Sequence, residues 1–174
     1  MAVIEAIATT YLEADATSVT FSGIPTTYEH LQIRMHVKSD RSGSDVDGLR
    51  IDFNDDGHPS TAYSYHWMRG SSTAESAGGA ASTRLNLQNM IAAQGGVTDA
   101  ANFSTVILDI LDYRNADKNT AVMALMGSTG NWSTVSLESG LWDNKDAIIK
   151  ILLDQVNGPN FMRGSEFTLY GLNS

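Results

Sequence analysis

Apolar side chains recur at every second position in segment after segment of this chain. In HLQIRMHVK, Leu31, Ile33, Met35 and Val37 alternate with Gln32, Arg34, His36 and Lys38. Side chains alternate across a pleated strand, so this spacing predicts a strand with one buried face and one wet face. GLRIDFNDDG repeats the pattern with Leu49, Ile51 and Phe53, then ends on an Asp-Gly turn signal. AYSYHW does so with Tyr63, Tyr65 and Trp67, and SVTFSGIP with Val19 and Phe21 before Gly23 and Pro25 break it.

The second half behaves similarly. FSTVILDILDY, from Phe103 to Tyr113, is apolar on both sides in its middle, which predicts a central strand covered on both faces. TAVMALMGS, STVSLES and DAIIKILLD add three more strand candidates. Asn157-Gly158-Pro159 marks a turn before FTLYGL, which reads as a closing strand slotted inside a sheet. Helix-length patterns are few: LNLQNMIAAQ is the best candidate, and TTYEHL could form a single turn. SSTAESAGGAAS, Ser71 to Ser82, is small and polar, and reads as a mobile loop or one that orders only against a neighbour. About ten short strands with at most one or two short helices predict an all-β fold, an antiparallel β-sandwich, over a single domain 1–174.

Composition narrows the partners. The 174 residues carry 11 Lys plus Arg against 20 Asp plus Glu, a net charge of −9. Such a field repels phosphate backbones and anionic bilayers, so neither nucleic acid nor membrane is expected. The chain has no Cys, which excludes disulfides, thiolate metal sites and a thiol nucleophile. MAVIEAIATTYLEADA has no basic n-region, and Glu5 interrupts its apolar run, so a chain made and folded in a cytoplasm is expected.

Chemistry-bearing residues are sparse. His30, His36, His58 and His66 have no partner at metal-ligand spacing, and His36 and His66 stand at the polar positions of their strands. Asp40, Asp45 and Asp47 cluster in DRSGSDVDG and offer hard oxygen ligands for calcium, but Gly48 does not stand where an EF-hand loop needs its glycine. The competing reading is a solvated turn. Asp109 and Asp112 have odd spacing and fall on opposite faces of a strand; no two carboxylates are placed as a glycosidase needs them. No nucleophile elbow or phosphate loop is present, so no cofactor is expected and the chain is not expected to be an enzyme. Tyr63, Tyr65 and Trp67 form a stripe that is either core or a platform for stacking sugar rings. Trp132 and Trp142 flank the STVSLES strand at turn-like places, where an exposed indole would serve a subunit interface or a glycan contact.

Four segments, in order, resemble small structural proteins of tailed bacteriophages. In SVTFSGIPTTYEHLQIRMHVKSD, Phe21, Ile24, Pro25, Tyr28 and Leu31 match a turn that leads into a long amphipathic strand. LRIDFNDDG followed by AYSYHWMRG is similar to their hairpin, LDILDYRNADKNTAV to a later segment, and NFMRGSEFTLYGLNS to their closing strand. The resemblance implies a jelly-roll sandwich and a virion structural protein: capsid decoration or cement, head fibre, or part of the tail. It implies other copies of the same chain as partners, most simply as a homotrimer, together with the major capsid protein. It carries no catalytic residues. Two readings stand: a self-associating decoration subunit located in the virion, or a tail- or fibre-associated module that binds host surface glycans.

Overall fold

The computed structural model describes residues 3–56, 62–71, 75–94, 101–128 and 133–173. It is all-β: twelve strands, and no α-helix among the described residues. Eight of them form a run in the order β1 (Val3–Tyr11), β12 (Glu166–Asn173), β3 (His30–Ser39), β8 (Ser104–Leu111), β9 (Thr120–Ser128), β10 (Thr134–Trp142), β5 (Tyr63–Ser71), β6 (Glu75–Ser82). The other four run β2 (Ser18–Ser22), β11 (Lys150–Gln155), β4 (Val46–Phe53), β7 (Leu85–Ala93). All pairings are antiparallel except one. At the far end of β3, Lys38 and Ser39 pair in parallel with Ala92 and Ala93 of β7, so β3 stitches the two sheets together.

The sheets stack because each buries one face. Strand β7 packs across β10 and β5 of the longer sheet, and Leu31, Ile33, Leu49, Ile51, Leu85, Leu108 and Ile151 share one core. Alternation holds along β3, where Leu31, Ile33, Met35 and Val37 are buried as expected. It stops at Lys38 and Ser39, both buried, because there the strand passes from one sheet into the other. The closing strand β12 lies between β1 and β3, an interior position, as its pattern predicts.

Three expectations are corrected. LNLQNMIAAQ is not a helix but β7. Its pairing with β4 slips between Asp47 and Leu49, and Asn89 takes a left-handed φ of 58°. That bulge places Met90, Ile91, Ala92 and Ala93 together in the core, and in sequence the phase change imitates a helical period. TTYEHL turns without forming a helix before β3 begins. Residues 75–82, read as a mobile loop or one that orders only against a neighbour, are edge strand β6, paired with β5. Its glycines admit rings from β5: a Cβ on Gly78 would lie 3.0 Å from the Trp67 indole, and one on Gly79 would lie 2.6 Å from the His66 ring.

Candidate functional site

The outer face of the longer sheet is open across β8, β9, β10 and β5. Its polar half lies on β3 and β12, where Gln32, Arg34 and His36 stand opposite Tyr170, Thr168 and Glu166. Its apolar half lies on β8, β9, β10 and β5. The strand register lines up four rows across these strands. The central one reads Ile107, Leu125, Leu137, Met68. On one side of it runs Asp109, Met123, Ser139, His66, followed by Leu111, Ala121, Leu141, Ser64. On the other side runs Thr105, Gly127, Val135, Gly70.

Seven large apolar side chains in these rows are exposed: Met68 58%, Leu111 53%, Met123 52%, Leu125 48%, Val135 59%, Leu137 41% and Leu141 37%. Adjacent exposed apolar side chains in register form the kind of contiguous patch that marks an interaction surface. Asp109 is the one acidic or basic side chain among the sixteen residues, apart from His66. A chain of net charge −9 therefore keeps its charge off this face. A depression of ≈ 260 Å³ opens in the middle of it, bordered by His66, Met68, Met123, Leu137 and Ser139.

This corrects the reading of FSTVILDILDY. Strand β8 is central, but only Val106, Leu108 and Ile110 face the core, while Leu111 is exposed on the outer face. The second apolar side of the segment belongs to the bare surface.

The aromatic candidates lie mostly elsewhere. The stripe Tyr63, Tyr65, Trp67 faces inward, and its alternate positions, His66 among them, face out. Tyr63 is 1% exposed and Trp142 0%, so neither offers a platform or an interface, which corrects that expectation. Their rings stack at 6.3 Å and 15°, with Phe53 tilted against Trp142 at 5.4 Å. The turn-like setting of Trp142 is resolved by its Nε1–H, which donates to Asp56 Oδ2 at 2.8 Å in the turn after β4. Tyr63 Oη accepts the Phe53 N–H at 3.1 Å, and burial pushes its phenol well above the usual value. Tyr65 and Trp67 are half-buried, and the Arg69 guanidinium lies 5.6 Å from the Trp67 ring centre. Trp132 and His58 lie outside the described residues.

Asp40 and Asp47 both face the segment around Gly158, and each is taken up by N–H donors there. Buried Asp47 accepts from Ser39 Oγ, from the N–H groups of Gly48, Asn157 and Gly158, and from Asn157 Nδ2, at 2.8–3.1 Å. Asp40 accepts from Asn160 N at 2.9 Å and Asn160 Nδ2 at 2.7 Å. Both carboxylates thus anchor the Asn157–Asn160 loop. Among the described residues no three His, Cys, Asp or Glu stand close enough together to hold a metal ion.

Sequence reasoning missed one group. Glu138 lies on the inner side of β10 and is 1% exposed. The β7 bulge turns the Gln88 N–H toward it, donating to Oε2 at 2.5 Å, and Ser136 Oγ lies 3.1 Å from Oε1. Burial pushes its carboxyl up to about 8, against smaller opposing effects from Gln88, Ser136 and Arg69. Arg69 in turn donates to Asn89 Oδ1 at 2.8 Å and Ser76 Oγ at 2.9 Å. The signal was present, since Glu138 falls in phase with buried Thr134, Ser136 and Trp142 along β10.

No known protein family matches the chain, and no curated protein matches it.

Proposed function

We propose that this chain is a non-enzymatic structural subunit of a tailed-phage virion, a capsid decoration or cement protein of jelly-roll type that works by self-association and contact with the major capsid protein. One observation carries the reading: the apolar outer face of β8, β9, β10 and β5, with seven large side chains exposed. A monomer that functions alone has no use for such a face, whereas a subunit repeated on a particle hides it against its neighbours. The ordered resemblance to small phage structural proteins supports the same reading. Of the aromatics on which the glycan reading rests, Tyr63 and Trp142 are in the core, Tyr65 and Trp67 are half-buried, and Trp132 lies outside the described residues.

The test is location. Gold-labelled antibody to the chain, applied to purified particles from cells that express it, should decorate virions at regular positions in negative stain. Bare virions alongside labelled free protein in the lysate would overturn the proposal.

A further inference from the structure

The apolar face is complementary to itself, and we infer that it pairs with the same face of a second copy about a two-fold axis running along the strands between β9 and β10. This inference rests on the self-association reading and names its geometry. Such an axis reverses strand order, laying β5 of the partner copy over β8 and β10 of the partner copy over β9. Each residue then meets the mirror position of its own row.

Three consequences follow from the register alone. In the row Asp109, Met123, Ser139, His66, the single carboxylate on the face meets the imidazole of the other copy, twice per dimer. Met123 meets Ser139, the small residue beside the ≈ 260 Å³ depression, so each methionine enters the hollow of its partner. In the flanking rows Val135 meets Gly127 and Leu141 meets Ala121, large against small. The central row is large throughout and forms a ridge of contact, as in the middle of a sandwich whose sheets pack about 10 Å apart.

A head-to-tail arrangement gains none of these matches. A membrane occupant is disfavoured by the chain's charge of −9.

The experiment is sedimentation equilibrium on the full chain from about 1 to 100 µM. The wild type is expected to have the mass of two chains. Leu137→Lys should give one chain with an unchanged far-ultraviolet spectrum, and a melting temperature that, unlike the wild type's, no longer rises with protein concentration. His66→Glu places a carboxylate opposite Asp109 twice and should weaken the dimer at least about ten-fold. His66→Glu with Asp109→Lys should regain most of that loss. A mass of one or three chains for the wild type would overturn the pairing, as would a dimer indifferent to His66→Glu or a double variant no tighter than the single. None of these outcomes touches the location of the protein on virions. Unlabelled virions, conversely, would remove the structural-subunit reading and leave a measured dimer standing.

Discussion

Glu138→Gln should make the protein more stable at neutral and alkaline pH while leaving it unchanged at pH 4.5. The native carboxyl holds its proton up to about pH 8, whereas in the unfolded chain it releases it near its usual 4.5. Between those values the unfolded state ionises and the native state does not. Each pH unit across that window therefore favours unfolding by ~1.4 kcal/mol. The stability that the bound proton contributes is complete below 4.5, declines steadily as pH rises, and is gone above about 8. The loss over the whole window is on the order of 4–5 kcal/mol, a large fraction of the stability of a typical domain. A glutamine carries no such proton. Its oxygen can accept the Gln88 N–H, and its amide can donate to Ser136 Oγ, so both partners of the carboxyl are kept. The assay is urea unfolding of both proteins at half-unit steps from pH 4.5 to 9, at one protein concentration so that self-association is held constant. The difference between the two curves isolates this position. It should be near zero at the acid end and approach about 4–5 kcal/mol in favour of the glutamine at the alkaline end. Parallel curves, or a variant that is weaker throughout, would refute the account of Glu138 as a buried neutral acid.

Other consequences are simpler. Asp47→Ala removes the acceptor for the Gly48, Asn157 and Gly158 N–H groups and should cost about 3 kcal/mol, with Asp47→Asn milder, both read by chemical denaturation. Gly171→Ala places a methyl 2.3–2.5 Å from atoms of the Tyr28 ring. It should cost about 1–3 kcal/mol, and a double-mutant cycle with Tyr28→Ala should show coupling of similar size. Because Asp40 and Asp47 are held by N–H donors, calcium should leave the melting temperature where chelator leaves it. A calcium-dependent rise of several degrees would show that the Asp40–Asp47 loop reorganises around the ion.

Alternation was legible wherever a strand has one covered face and regular pairing. Leu31 to Val37 on β3 and Phe167 and Leu169 on β12 could be read directly, and so could the interior placement of the closing strand. Three features hid the rest. The bulge at Asn89 changes the phase of β7 midway, so no single period describes Leu85–Ala93. Strand β6 is ordered by its pairing with β5, and composition alone left open whether the segment is a loop or orders against a neighbour. Trp142 stands beside a turn in sequence, yet its ring reaches Phe53 and Tyr63 and its N–H reaches Asp56, contacts 79 to 89 residues away along the chain. The aromatic stripe on β5 could be read as core or as platform, because periodicity says which residues share a face and not which way that face points.

That last ambiguity is also the route to function. Residues 103–113 carry the pattern of a strand covered on both faces, and within one chain only one face of β8 is covered. A local rule that fails in isolation points to a place where the isolated chain is incomplete. The neighbouring strands agree: Met123 and Leu125 on β9, and Val135, Leu137 and Leu141 on β10, repeat the second apolar side in phase with Leu111. Exposed at random, such residues would be scattered among charges; here they align in rows with a single carboxylate. The proposed second copy supplies the missing cover, so that β8 becomes what its sequence describes, a strand of an inner layer in a four-layered stack of sheets.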